Sequence, residues 1–147
     1  MFSKACKYAI KALIYLASRS DEDRKIGLTE IADAIDSPMH FTAKIMQILS
    51  KQGIVSSIKG PNGGFFIDPA EPEIRLIEVV KAIDGVANLN GCGLGLKGCS
   101  SEHPCPIHAE FSEVRNKLNQ LLKEQTIQQM AAEIRNGHAH LKTVVQS

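Results

Sequence analysis

Two amphipathic stretches meet almost end to end at Asp36-Ser37-Pro38, and this junction constrains the fold more than any other feature of the sequence. Upstream, Leu28-Thr29-Glu30 opens a short helix with Ile31, Ala32 and Ile35 inward and Thr29 as its cap. Downstream, Ser37 is the expected N-cap of a second helix, with Pro38 at its first position, where the missing N–H costs nothing. Phe41, Ile45, Ile48 and Leu49 form the apolar stripe of that helix, and Gly53 stops it. Two helices joined by so short a turn form a helix-turn-helix pattern.

Two short β-prone runs follow, IVSSI at 54–58 and FFI at 65–67, joined by KGPNGG, whose glycines supply a tight connection. The expected shape is a wing. An earlier helix runs from Ser3 to Ser18, with Ala5, Ala9, Ala12, Leu13, Leu16 and Ala17 on one stripe and Lys4, Lys7 and Lys11 off it. Past the Pro69 and Pro72 linker, Arg75 to Asp84 reads as a further helix. A long helix is expected from His108 to about Glu124, with Phe111, Val114, Leu118, Leu121 and Leu122 at near-heptad spacing. Such a stripe on a protruding helix calls for a partner helix, so these five residues are the candidate dimerisation contacts. Thr126 starts a short terminal helix.

The chain is therefore expected to be mainly α with a small β-hairpin wing, a winged helix-turn-helix plus a long dimerisation helix. Its expected organisation is a DNA-binding domain over 1–69, a connecting helix and cysteine-rich loop over 70–107, the dimerisation and terminal helices over 108–136, and a flexible tail over 137–147. The 44% hydrophobic and 22% charged composition fits a folded chain. No apolar run approaches the roughly 20 residues of a membrane span, so a cytoplasmic protein with no membrane partner is expected.

The net charge of +1 says nothing about partners, but its distribution does. Between Ser37 and Gly64 the chain has Lys44, Lys51 and Lys59 and no acid, although 16 acids occur overall. A surface with that bias can approach phosphates without repulsion. Met39, His40, Thr42, Ala43 and Lys44, at the start of the second helix, are the candidates for reading base edges. The helix start at Ser37 and Pro38 leaves the N–H groups of the first turn free where a phosphate can sit. In the hairpin, Lys59, Gly60, Pro61, Asn62, Gly63 and Gly64 bring backbone close to DNA, and Ser57 and Lys51 add polar contacts.

The segment from Val86 to Pro106 has no sustained period, and a structureless loop of about 20 residues is uncommon unless something holds it. It contains Cys92, Cys99 and Cys105, which with His108 form C-x6-C-x5-C-x2-H. Three soft thiolates and an imidazole suit four-coordinate zinc or a small iron-sulfur cluster. The absence of a close C-x2-4-C pair leans towards a cluster, while a zinc staple or free thiols remain open. Cys6 is expected to be a small buried residue. The glycines of NGCGLGLKG lack the preceding strand and GK[ST] ending of a phosphate loop. No Ser/His/Asp set or paired carboxylates stand out, so an enzyme is not expected.

The segments KYAIKAL, LTEIAD, LSKQGIVSSIKGPNGGFFI and EVVKAIDG together resemble the Rrf2-type winged-helix transcription regulators over nearly the whole chain. The resemblance implies a cytoplasmic homodimer, paired through the long helix, that binds palindromic double-stranded DNA operators. It also implies sensing of iron-sulfur, nitric-oxide or redox status through a cluster on three cysteines. By resemblance to the family's cluster-biogenesis regulator, CPIH at 105–108 makes His108 the fourth ligand of a 2Fe-2S centre. The nitric-oxide-sensing branch holds a 4Fe-4S cluster that can take a carboxylate from helix one of the partner, but the aligned position here is about Lys7, with Cys6 and Tyr8 beside it. Lys44 and Asn62 resemble that second branch, and the biogenesis regulator's acidic base-reading residue falls at Ala43. Rival expectations are a regulator with a zinc or thiol-redox switch in the loop, and a cluster-free regulator acting through protein contacts.

Overall fold

Every helix of the N-terminal half packs on α1, Lys4–Ser18, in the computed structural model, which describes residues 2–141. Ser3 caps α1 by accepting from the Cys6 amide, and Cys6, Ala9, Ala12, Leu13, Leu16 and Ala17 are buried. Ile14 joins them, so the inward face is wider than the sequence stripe suggests, while Ala5 sits half-buried at its edge. Helices α2, Leu28–Ile35, and α3, Met39–Lys51, cross α1 to form the helix-turn-helix. Between them Asp36 adopts φ 53°, a left-handed conformation rare for a residue with a side chain, and its amide closes the end of α2 on Ala32 and Asp33. That residue makes the turn.

Helix starts differ from expectation by a residue or two. Gly27, not Thr29, caps α2, and Pro38, not Ser37, caps α3; neither makes a side-chain cap bond. The Ser37 hydroxyl is instead hydrogen-bonded to Thr42.

The wing is the antiparallel pair β1, Ser56–Ile58, and β2, Gly64–Phe66, with Ser57 opposite Phe65. Ile26 bridges Phe65 from the other side through two backbone bonds of 2.9 and 2.8 Å, and Lys25 Nζ lies 3.9 Å from the Phe66 ring centroid. These contacts fasten the wing to the segment before α2. At Gly64, φ is 149°, and a Cβ would lie 2.7 Å from the Ile26 carbonyl oxygen, so this close approach requires glycine.

Beyond the linker come α4, Leu76–Ile83; a short α5, Ala87–Asn90, inside the stretch expected to be irregular; α6, His108–Glu124; and α7, Ile127–Arg135. Thr126 caps α7 in a reciprocal box with Gln129. Helix α7 returns to pack on α1, burying Ile127 and Ala131. Of the tail expected from 137, Leu141 packs against the core, and 142–147 lie outside the described residues. No helix among the described residues is long and apolar enough to cross a membrane.

Candidate nucleic-acid interface and metal centre

Met39, His40 and Lys44 are exposed on the first turns of α3, with Met39 at 44%, and Ala43 is half-buried beside them. Lys51 is exposed at the other end of the helix. Ser57, Lys59, Gly60, Pro61 and Asn62 are exposed along the hairpin, and Ser57 Oγ is 3.2 Å from Ser50 Oγ of α3, which ties wing to helix. Gly63 and Gly64 are less accessible, and a Cβ at Gly63 would lie 2.0 Å from the Ile58 carbonyl oxygen. Their first role is to close the turn.

Thr42 is a correction. It is 1% exposed, and its hydroxyl donates to Ser37 Oγ at 2.9 Å and reaches the Pro38 carbonyl oxygen at 3.0 Å. Its side chain faces back into the turn and presents nothing to a base edge.

The cysteine loop brings Cys92, Cys99 and Cys105 together with all three Sγ atoms within 4.8 Å of one another. Cys92 and Cys105 are 3.6 Å apart, and Cys99 Sγ is 3.3 Å from His108 Nδ1 at the first residue of α6. Local backbone bonds shape the loop: Gly95 N–H donates to the Cys92 carbonyl, Ser100 N–H to His103, and His108 N–H to Cys105. The amides of Leu96 and then Leu94 point at the Cys92 sulfur and hold its thiol down to about 7, whereas burial pushes the Cys105 thiol up. One thiol poised to ionise beside two others is a donor set for a soft metal or cluster. Cys6 lies apart, fully buried in α1, with its thiol pushed up to about 12 by burial and then by Asp84.

Two residues without a signature in the sequence pattern fix this loop to the long helix. Arg115 donates to the Gly91 carbonyl at 3.0 Å, and Asn119 Nδ2 to the Leu89 carbonyl at 3.4 Å. They are four apart on α6 and share one face. A polar pair at helical spacing was the only signal that could have marked them, and apolar periodicity does not reveal it.

The candidate dimerisation stripe divides. Val114 at 61% and Leu121 at 48% are exposed. Phe111 and Leu118 are half-buried and line a cavity of about 480 Å³ with Phe2, Val80 and Leu89, and the Phe111 ring lies against Gly93. Leu122 is a correction: it is 0% exposed, part of the protomer's own core, and unavailable to a partner helix.

Fold and surface together define a winged helix-turn-helix regulator with an exposed three-thiol loop. The Rrf2 family profile, described as an iron-dependent transcriptional regulator, matches residues 2–133, and the chain belongs to that family. It is similar to a putative HTH-type transcriptional regulator of Aquifex aeolicus (strain VF5), 33% identical over 132 residues, spanning 88% of this chain and 90% of that one. It is also similar to the HTH-type transcriptional regulator IscR of Photorhabdus laumondii, 26% identical over 124 residues, covering 84% and 74% of the two chains. Among solved structures, CymR, the global cysteine regulator of B. subtilis, superposes with a TM-score of 0.72 at 21% identity, covering 90% of this chain and 96% of that one. The protein is a DNA-binding transcriptional regulator and not an enzyme.

Proposed function

We propose that the protein is a cytoplasmic, homodimeric regulator whose affinity for a palindromic operator is set by an iron-sulfur cluster on Cys92, Cys99, Cys105 and His108. The observation that carries this reading is the convergence of three thiols within 4.8 Å, with the His108 imidazole against one of them. The donor chemistry fits: soft sulfur ligands, one neutral nitrogen, and no carboxylate in the group. The family's description as iron-dependent and the similarity to IscR support the same reading.

Bound there, a cluster, 2Fe-2S in preference to 4Fe-4S, supplies redox- and nitric-oxide-responsive chemistry. The chain's own residues convert occupancy into position. His108 opens α6, so its engagement bears directly on the first turn of that helix. Arg115 and Asn119 hold the start of the loop to the same helix. In a dimer paired along Val114 and Leu121, a shift of α6 changes the spacing of the two recognition helices, the quantity a palindromic operator measures. A nitrogen ligand binds iron less firmly than a thiolate, so His108 would make this site hold a cluster less firmly than an all-thiolate one would.

A second reading, a zinc site or thiol switch, draws on the 3.6 Å approach of Cys92 and Cys105. Protein purified without oxygen discriminates the two. The cluster reading expects broad visible absorbance with iron matching acid-labile sulfide, and a diminished or shifted spectrum in His108→Ala. A colourless protein holding zinc or no metal after attempted reconstitution selects the second reading.

A further inference from the structure

We propose that Lys4, Lys7 and Lys11 on α1 form a second phosphate-binding surface for duplex DNA, continuous with the recognition helix; this rests on the DNA-binding reading above. Positions 4, 7, 8 and 11 share one face of a helix, and this is the face that α1 leaves outside the core, since Cys6, Ala9 and Leu13 carry the opposite one. Lys4 and Lys7 are exposed and Lys11 is half-buried, and none of the three joins an ion pair among the described residues. Residues 1–20 contain no acid at all. Asp84, which approaches the start of α1, is already engaged by the Ser3 amide and hydroxyl.

The direction in which this face looks is set by Tyr8. Lys4 Nζ and Lys11 Nζ lie 5.9 and 5.6 Å from its ring centroid, and the same ring meets Phe41 of α3 edge-on at 5.5 Å. Both ammonium groups are therefore one aromatic ring away from the recognition helix. Phe41 follows His40 and lies one turn before Lys44, the residues that face DNA in the reading above. With α3 seated in the major groove, Lys4 and Lys11 beside Tyr8, and Lys7 on the same side of α1, would fall where the flanking phosphates run. Contacts of that kind add affinity and fix register without reading sequence.

The test uses the full-length protein and a fluorescent duplex of about 30 base pairs of arbitrary sequence, titrated between about 50 and 200 mM salt. The combined variant Lys4→Gln, Lys7→Gln, Lys11→Gln is compared with wild type and with Lys81→Gln, which removes a charge on the exposed side of α4. Far-ultraviolet circular dichroism verifies folding of each. The proposal expects the slope of log affinity against log salt to become shallower by about 0.9 for each phosphate that the combined variant no longer neutralises, and by nothing measurable in Lys81→Gln. An unchanged slope in the combined variant, with wild type binding normally, overturns the proposal and leaves the DNA-binding reading intact. An equal reduction per charge in Lys81→Gln overturns it in favour of a general charge effect. Failure of the wild type to bind any duplex overturns both.

Discussion

The winged-helix body and the cysteine loop are built on different principles. In the body, Leu13, Leu16, Ile31, Met46 and Leu49 are all at or below 2% exposure, and each helix covers its neighbour's apolar stripe. In the loop, Leu94 and Leu96 stand 53% and 54% exposed, and order comes from a few backbone bonds, two tethers from α6 and the clustered thiols. The body sequesters its large apolar side chains from water, whereas the exposed Leu94 and Leu96 leave the loop little burial to set against the entropy of ordering it. One region is therefore held by a packed core, and the other by a few polar contacts beside three clustered thiols.

This contrast is broken most severely by Leu13→Ala, which should cost about 2–5 kcal/mol in urea unfolding because a fully buried side chain leaves a cavity in the body. Gly63→Ala should follow at about 1–3 kcal/mol, since its Cβ meets the Ile58 carbonyl oxygen and the hairpin must open. Thermal unfolding and duplex binding would both register that change. Thr126→Ala should cost about 1 kcal/mol in the same urea titration, through loss of the α7 cap.

A pH effect follows from Glu30. The Arg24 guanidinium, then the Tyr15 hydroxyl, hold its carboxyl down to about 2 from the ordinary 4.5. A folded value below the unfolded one means that its stabilisation is complete above about 4.5 and fades as pH falls towards 2. Because the pair is over a third exposed, the amount is below about 1 kcal/mol. Glu30→Gln should flatten the acid side of the stability curve, and an unaltered curve would remove Glu30 from the account. The smallest effect is expected at Leu96→Ala in the loop, within about 0.5 kcal/mol. A destabilisation there as large as at Leu13 would erase the distinction between the two regions.

Legibility in the sequence follows the same division. The helix-turn-helix junction, the wing and the helix start at Thr126 were readable because each depends on local chemistry, a three-to-four apolar period or glycines at a tight turn, whereas the hydroxyls of Thr29 and Ser37 misplaced the caps of α2 and α3 by a residue or two. The burial of Leu122 was not, because heptad spacing looks the same whether α6 packs on its own protomer or on another. Thr42 misled for a related reason: position on a recognition helix does not say whether a hydroxyl turns outward or back to the preceding turn. The four-residue α5 carries too few residues to show a period. The spacing of Cys92, Cys99 and Cys105 announced a candidate donor set, but the tethers Arg115 and Asn119 reach residues 24 and 30 positions away in the sequence and belong to tertiary structure alone.

In the proposed mechanism the cysteine loop is the input and the DNA-binding face the output. That mechanism is tested most directly by measuring operator affinity of one anaerobic preparation before and after its iron is stripped, on a duplex selected by the protein from sheared genomic DNA, alongside Cys92→Ala. Stripping is expected to change the affinity of wild type, and Cys92→Ala is expected to show the stripped value from the start. Equal affinity with and without iron, and no change in Cys92→Ala, would contradict it.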